Sequence, residues 1–195
     1  DGKKVASELT LKIEKKCSKL YNSHKVRPGL VVILLGKNAA SEIYVRNKKI
    51  LAQKIGFNSY VRNLDEKTSE KNLLNIIDEY NNDSKIDGIL VQLPLPKQIN
   101  SITIMDKIAP NKDVDGFNSY NSGLLYSGFP NVVPCTPQGC LILIKKIKNN
   151  LSGKNALVIG RSNIVGKPMA ALLTKENATV TLAHSKTQNL RDICK

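Results

Sequence analysis

The sequence predicts an α/β protein with two domains, and three observations lead to this class. Apolar stretches of strand length alternate with amphipathic helical patterns, as in a doubly wound, largely parallel sheet. Residues 110–137 have little periodicity and are rich in Asn, Gly, Pro and Ser, so they indicate a long loop or a domain crossing. Apolar residues make up 41% of the 195 residues, which is typical of a globular protein.

The first region begins with an amphipathic helix, in which Val5, Leu9, Ile13, Cys17 and Tyr21 recur every fourth residue. Residues 27–29, Arg-Pro-Gly, are expected to end this helix. Three further strands are predicted in this region, at 30–35, 57–64 and 86–93. Three further helices are predicted: one at 39–55, one that begins after its N-cap Ser69, and one near 102–108.

The second region contains one βαβ unit. Thr136 and Pro137 are predicted to be the N-cap and first residue of a helix that runs to about Lys148. A strand at 155–160, a helix to about Lys175 and a strand at 178–184 follow. Because one βαβ unit does not build a complete sheet, we expect the second domain to be incomplete in this sequence.

The net charge of +14 raises the hypothesis of nucleic-acid binding. The lysines are scattered through the helical patterns, and aromatic residues are only 5% of the chain. Stacking platforms for nucleic acids require aromatic residues among the basic ones. Solvated helix faces are therefore favoured over the attraction of anionic small molecules and over nucleic-acid binding.

The four cysteines form no CxxC pair, which disfavours a structural zinc site and a disulfide framework. No apolar run has the length of a membrane span, and no signal-peptide core is visible at the start. We therefore expect a cytoplasmic protein without membrane association. Location in an organellar matrix is the alternative, because the sequence does not begin with Met and is compatible with the removal of a leader.

Residues 158–166 resemble a nucleotide-binding turn. Gly160 ends a predicted strand and Gly166 enters the next helix, so that backbone N–H groups can approach a pyrophosphate. The spacing differs from GxGxxG, and a purely structural turn remains the alternative. The following strand ends at residues 184–187, His-Ser-Lys-Thr, without the acidic residue that holds the ribose of NAD. Arg161 at the first turn therefore favours NADP over NAD, and His184 is expected to be structural.

Ser41, Tyr44 and Lys48 are spaced to share one helix face. An exposed polar stripe is the alternative interpretation. The helix follows a buried strand, however, so its first turns border the crevice where such sheets bind ligands. There an aromatic ring can stack on a flat heterocycle, and an amine can act as acid or base.

Asp113 and Asp115 place two carboxylates in the long loop. A metal site would need a third ligand, and no residue at suitable spacing supplies one, so no metal is predicted. A carboxylate can equally accept N–H bonds from an amino-substituted heterocycle.

Six segments spread over nearly the whole chain carry distinctive residue combinations. They are Ser41-Glu42-Ile43-Tyr44-Val45-Arg46-Asn47-Lys48, Val91-Gln92-Leu93-Pro94-Leu95-Pro96, Pro110-Asn111-Lys112-Asp113-Val114-Asp115-Gly116-Phe117, Pro134-Cys135-Thr136-Pro137-Gln138-Gly139, Gly160-Arg161-Ser162-Asn163-Ile164-Val165-Gly166-Lys167-Pro168 and His184-Ser185-Lys186-Thr187. In this order they resemble the bifunctional methylenetetrahydrofolate dehydrogenase/methenyltetrahydrofolate cyclohydrolase family of the FolD type.

The resemblance implies NADP-dependent oxidation of 5,10-methylenetetrahydrofolate to the 5,10-methenyl form, followed by hydrolysis to 10-formyltetrahydrofolate. It implies a folate-binding catalytic α/β domain at residues 1–118 and the start of a Rossmann-like NADP-binding domain at 119–195. A homodimer formed through the cofactor domain is implied as well. Members of the family continue past Lys195, so a site made from these residues alone is expected to be incomplete.

The resemblance also implies the roles of individual residues. Lys48 is the catalytic lysine, Tyr44 stacks on the folate, Gln92 hydrogen-bonds near Lys48, and Asp115 holds the pterin. The substrate-binding residues implied are Tyr44, Val45, Arg46, Asn47, Lys48, Val91, Gln92, Leu93 and Asp115. The NADP-binding residues implied are Gly160, Arg161, Ser162 and Ser185. A folate- or nucleotide-binding module that has lost catalysis is the remaining alternative, and the presence of Lys48, Gln92 and Asp115 argues against it.

Overall fold

The computed structural model describes all residues, Asp1–Lys195. The chain forms two compact units, Asp1–Val114 and Asp115–Lys195, and both combine helices with parallel strands. The predicted α/β class with two domains is therefore confirmed. The predicted boundary after residue 118 concerns the functional domains and stays a prediction. None of the helices combines the length and apolarity needed to cross a membrane.

The first unit is built around a three-stranded parallel sheet with the strand order β2-β1-β3. Its elements are α1 (Gly2–His24), β1 (Gly29–Leu35), α2 (Ala39–Lys54), β2 (Asn58–Leu64), α3 (Glu70–Asn82), β3 (Gly88–Val91) and α4 (Ser101–Lys107). These bounds agree with the predicted elements to within two residues at most ends. The strand predicted at 86–93 is shorter, because Ile86 and Gln92 lie outside the ladder.

The central strand β1 is buried on both faces. On one face Val32 and Leu34 form a core cluster with Leu90 of β3 and Val45 of α2, and Val114 packs against it. Val31 and Ile33 point to the other face, because side chains alternate along a strand, and both have no exposed surface. This continuous burial explains why residues 30–35 form an uninterrupted apolar run.

The predicted apolar ridge of α1 is only partly covered. Cys17 is buried, but Leu9, Ile13 and Tyr21 expose 37–41% of their surface. Burial raises the pKa of the Cys17 thiol. The helix ends at His24, before the predicted Arg-Pro-Gly stop, because Lys25 adopts a left-handed conformation with φ 56°. Regular spacing therefore predicted the helix correctly, and of the ridge residues only Cys17 is buried.

The second unit contains α5 (Ser119–Tyr126), α6 (Cys135–Ile147), β4 (Asn155–Ile159), α7 (Gly166–Lys175), β5 (Thr179–Ala183) and α8 (Leu190–Ile193). Strands β4 and β5 pair in parallel, as the predicted βαβ unit requires. The core consists of Leu151, Met169 and Leu173, with half-buried side chains of β4 and β5 around them. All four cysteines of the chain are free.

Residues 110–137 were predicted to be a long loop or a domain crossing, and the division between the two units after Val114 lies within them. They are not one long loop, however, because they contain α5, capped by Asn118, whose Oδ1 accepts a hydrogen bond from the N–H of Tyr120 at 2.8 Å. A second prediction for this region was wrong. Helix α6 begins at Cys135 rather than after Thr136, so Thr136 is not its N-cap. Pro137 is tolerated at the third position, because the first four N–H groups of a helix have no partner inside it.

Candidate active site

The first part of the candidate site lies at the carboxyl ends of β1 and β3. After β1 the chain turns at Gly36, whose φ of 72° is strained for other residues and whose N–H donates to the carbonyl of Leu64 at 3.0 Å. Helix α2 then starts at the N-cap Asn38, whose Oδ1 accepts from the N–H of Ser41 at 3.0 Å. Because α2 begins at Ala39, soon after β1 ends at Leu35, its first residues lie beside the carboxyl end of that strand, where such sheets bind ligands.

Lys48 and Gln92 meet at this end of the sheet, although 44 residues separate them. Nζ of Lys48 donates to Oε1 of Gln92 at 3.1 Å. The N–H of Gln92 donates to the carbonyl of Ile33 at 2.9 Å and its Nε2 to the carbonyl of Leu93 at 2.8 Å, so both its main chain and its amide are held. Both side chains are half-buried. The amine is therefore oriented by a neutral partner.

The other α2 residues of the predicted site differ in exposure. Tyr44, one turn before Lys48, exposes 64% of its surface, so its ring is available for stacking. Ser41 is buried, and the three residues thus do not form one exposed stripe. Val45 and Val91 are buried and belong to the core, although Val45 also lines a cavity beside α2. Arg46 and Asn47 are exposed, and Leu93 is half-buried.

A cavity of about 1300 Å³ lies on the opposite flank of α2. It is lined by Arg46 and Lys49 of α2 and by Val61 and Asn63 of β2, and neither Tyr44 nor Lys48 contributes to it. Size alone does not identify a reactive site, because catalysis requires an acid or base held in position. We therefore place the candidate active site at the Lys48–Gln92 pair rather than in this cavity.

The two aspartates of the long loop have different surroundings. Asp113 is 2% exposed, and its main chain pairs with Ile89 in an isolated parallel bridge. Asp115 is half-buried and is the first residue of the second unit. Nowhere in the protein do three or more His, Cys, Asp or Glu residues form a cluster suited to a metal ion.

The glycine turn after β4 is shaped by two close approaches. Gly160 has φ 129°, and its N–H donates to the carbonyl of Ala183 at 2.8 Å. A Cβ atom at Gly166 would overlap the carbonyl of Gly160, so only glycine fits at the start of α7. Oγ of Ser162 accepts from the N–H groups of Val165 and Gly166, both at 3.2 Å. The hydroxyl of Ser162 thus caps α7 and keeps its own proton for a ligand.

Arg161 and Ser185 follow two neighbouring parallel strands at equivalent positions. Ile159 of β4 pairs with Ala183 of β5, and each of the two residues lies two positions further on. Both are exposed, as is Lys186. No acidic residue occurs in the turn of residues 184–187. This edge of the sheet therefore offers cations and hydroxyls, which suit a phosphate.

His184 has a structural role in this turn, in agreement with the sequence. Its N–H donates to Oγ1 of Thr187 at 2.8 Å, and its Nδ1 accepts from the N–H of Lys186 at 3.2 Å. Sequence reasoning missed a different group of contacts, those of Asn81 and Lys112 with main-chain atoms, which are described below. No local signal points to them, because the partners are backbone groups distant in sequence.

The first unit carries a lysine–amide pair at the carboxyl end of its parallel sheet, and the second unit carries a glycine turn of the kind that binds nucleotides. These two features define an α/β enzyme with a separate nucleotide-binding unit. Two family models match the chain: "tetrahydrofolate dehydrogenase/cyclohydrolase, catalytic domain" at residues 1–115 and "tetrahydrofolate dehydrogenase/cyclohydrolase, NAD(P)-binding domain" at residues 134–195. The chain belongs to the tetrahydrofolate dehydrogenase/cyclohydrolase family, and the resemblance inferred from the six segments is confirmed.

Individual relatives agree with this assignment. The bifunctional protein FolD of Pelagibacter ubique is 52% identical over 194 residues, which cover all of this chain and 69% of that protein. The crystal structure of the bifunctional FolD enzyme from Campylobacter jejuni matches with a TM-score of 0.94 and 41% identity, over 97% of this chain and 67% of that one. The Trypanosoma brucei FolD structure, complexed with NADP cofactor and an inhibitor, matches with a TM-score of 0.93 and 35% identity. The match covers 99% of this chain and 66% of that one.

Proposed function

We propose that this protein is a bifunctional enzyme of one-carbon folate metabolism. It oxidises 5,10-methylenetetrahydrofolate to 5,10-methenyltetrahydrofolate with NADP, and it then hydrolyses the product to 10-formyltetrahydrofolate. Membership in the dehydrogenase/cyclohydrolase family supports the pair of reactions. The observation that carries the proposal is the hydrogen bond from Nζ of Lys48 to Oε1 of Gln92 at the carboxyl end of the sheet.

The first reaction requires alignment more than proton transfer. A hydride leaves the methylene carbon, and the lone pairs of the two adjacent nitrogens stabilise the resulting cation. NADP supplies the hydride acceptor. The exposed ring of Tyr44 is suited to stack on the flat part of the folate and so to orient the reacting carbon.

The second reaction requires a base. Water attacks the methenyl carbon and loses a proton, and a ring nitrogen gains one when the ring opens. A neutral amine within hydrogen-bond reach can accept the first proton and return it to the nitrogen. The cationic substrate favours the neutral form of a nearby amine. Gln92 holds Lys48 in place without adding a charge that would oppose this.

Steady-state spectrophotometry tests the proposal most simply. With methylenetetrahydrofolate as substrate, we expect reduced nicotinamide to form with NADP in preference to NAD, and 10-formyltetrahydrofolate to be the final product. A protein that binds folate and nucleotide without turnover would be a binding module, and this result would contradict the proposal.

Asp115 is proposed to orient the pterin, because a carboxylate can accept hydrogen bonds from an amino-substituted ring. Asp113 is buried beside β3 and so is assigned a bracing role. We expect Asp115→Ala to raise the KM for folate and to slow both reactions, by about 10- to 100-fold through the lost charged hydrogen bonds. The comparison is Asp113→Asn, which keeps the shape of the buried side chain. If only the Asp113 variant weakened folate binding, the two roles would be reversed.

Arg161 is proposed to bind the 2′-phosphate of NADP together with Ser185, because both follow adjacent strand ends without an acid nearby. A hydrogen bond to a charged group is worth about 1.5–3 kcal/mol. Arg161→Ala should therefore raise the KM for NADP by about 10- to 100-fold and change the KM for NAD little. Kinetics with both cofactors measure this, and Arg191→Ala is a control, since Arg191 is exposed on α8. Equal loss for NADP and NAD would mean that Arg161 does not recognise the phosphate.

We also propose a cytoplasmic homodimer that forms through the cofactor unit. The support is the family resemblance, together with exposed apolar side chains on that unit, Ile159 at 62% and Leu182 at 38%. Light scattering of the purified protein at several concentrations tests the dimer, and a monomer at all concentrations would contradict it.

A further inference from the structure

The segment between α4 and the end of the first unit, residues 108–114, is held by hydrogen bonds to α3 and β3. Asn81 of α3 makes two of them: its Nδ2 donates to the carbonyl of Lys107 at 2.8 Å, and its Oδ1 accepts from the N–H of Ala109 at 2.9 Å. One side chain thus holds the main chain on both sides of residue 108. The start of the segment is fixed to α3.

Lys112 fixes the middle of the segment to the end of the same helix. Its Nζ donates to the carbonyls of Tyr80 at 3.0 Å and Asp83 at 2.8 Å, at the C-terminus of α3. Carbonyls at a helix C-terminus carry partial negative charge, so a cation binds them well, here in addition to the backbone N–H that each accepts, from Asp83 and Ile86 respectively. The carbonyl of Lys112 accepts from the N–H of Ile89 at 2.8 Å, which joins the same residue to β3.

The two following residues carry this constraint to the end of the unit. Asp113 is 2% exposed and pairs with Ile89 through its main chain. Val114 packs against the core cluster that includes Val45, the residue next to Tyr44 on α2. Gly88 makes room for it, because a Cβ atom at Gly88 would press against Cγ1 of Val114. Residues 112–114 are therefore packed against the strand that leads to Gln92 and the helix that carries Lys48.

We propose that Lys112 is a positioning residue for the folate site, acting through Asp115. Asp115 follows Val114 directly in the chain. The anchored segment therefore fixes the main chain at the residue before Asp115 and so restricts where the carboxylate of Asp115 can lie. This inference rests on the proposed function, in which Asp115 holds the pterin. In this proposal Lys112 acts on the main chain rather than on the substrate, because its amine donates to the carbonyls of Tyr80 and Asp83.

A purely structural anchor and a positioning residue make different predictions. A structural anchor lowers the melting temperature and leaves the kinetic constants of the folded protein unchanged. A positioning residue changes the KM for folate even at temperatures where the protein is fully folded, because a displacement of about 1 Å at a binding group can cost on the order of 100-fold in rate. It leaves the KM for NADP unchanged, since the nucleotide turn lies at residues 160–166.

Lys112→Met is the informative variant, because it removes the ammonium group and keeps the length of the chain. We expect the KM for methylenetetrahydrofolate to rise by about 10- to 100-fold and the KM for NADP to change by less than about twofold. Lys112→Arg, which still donates to carbonyls, should restore most of the affinity. Lys71→Met is the control, since Lys71 is an exposed lysine in the first turn of α3, at the other end of the helix from the groups that hold the segment.

Asn81→Ala loosens the same segment without changing Lys112, so it tests the inference even if Lys112→Met does not fold. We expect it to raise the KM for folate as well. The inference is overturned if the Lys112 and Asn81 variants melt at lower temperature but keep the wild-type KM for folate. Failure of the proposed function would look different, because the wild-type protein would then lack turnover.

Discussion

Lys48→Met is expected to abolish the cyclohydrolase reaction while measurable dehydrogenase activity remains. Hydride transfer needs no base, whereas the attack of water on the methenyl cation does, and a general base contributes about 10²- to 10⁴-fold to such a step. The variant removes the amine that donates to Gln92 and keeps a side chain of similar length. Stopped-flow absorbance at the methenyl band should show the intermediate accumulating in the variant.

A matched control is available on the same helix. Lys49→Met removes the adjacent lysine, which is exposed and faces the cavity on the other flank of α2. It should leave both reactions near the wild-type rate. If Lys48→Met hydrolysed the methenyl compound at the wild-type rate, Lys48 would not be the base.

Gly166→Ala is expected to cause the second large effect, the loss of NADP binding. The added methyl group would overlap the main chain of Gly160 and Arg161, so the turn between β4 and α7 must move. This turn presents the backbone N–H groups proposed for the pyrophosphate. We expect the Kd for NADP to rise by about 100-fold or more, in line with the rate cost of a 1 Å displacement at such a site. Isothermal titration calorimetry measures this Kd.

The cyclohydrolase reaction provides an internal check on this variant, because it uses no nicotinamide. It should persist in Gly166→Ala if the first unit stays folded. Gly139→Ala is the control for a glycine substitution, because Gly139 lies within α6 and a Cβ atom added there meets no other atom within 4 Å. Alanine at this position should stabilise the helix by about 0.5–1 kcal/mol. Wild-type affinity of Gly166→Ala for NADP would contradict the assignment of the turn.

Local patterns predicted most elements of the fold, because their signals are carried by neighbouring residues. The apolar run at 30–35 was predicted to be a buried strand and is one, and Ser69 caps α3 as expected. The ridge of α1 shows the limit of such patterns. Spacing determines which residues share a face, but burial depends on what packs against that face, and Leu9 and Ile13 remain partly exposed. Helix α5 was missed because eight residues give too little periodicity.

In the candidate site, too, some contacts could be predicted from the sequence and others depend on the tertiary structure. The family resemblance implied that Gln92 hydrogen-bonds near Lys48, and the carboxyl ends of neighbouring parallel strands, where ligands bind, lie together. The distance of 3.1 Å between Nζ of Lys48 and Oε1 of Gln92 agrees with that expectation, and the catalytic roles remain predictions. The contacts of Lys112 were not foreseen, because a carbonyl exists at every residue and its availability depends on where a helix ends.

One time course tests the central claim, that a single protein carries both reactions and that Lys48 serves the second. Reduced nicotinamide and the methenyl band are recorded together after wild-type protein is mixed with methylenetetrahydrofolate and NADP. We predict that reduced nicotinamide rises while the methenyl band stays low and 10-formyltetrahydrofolate forms, whereas in Lys48→Met both signals rise in equal amounts. A wild-type protein that releases one methenyltetrahydrofolate for every NADP reduced, with no faster hydrolysis than in buffer, would contradict the account.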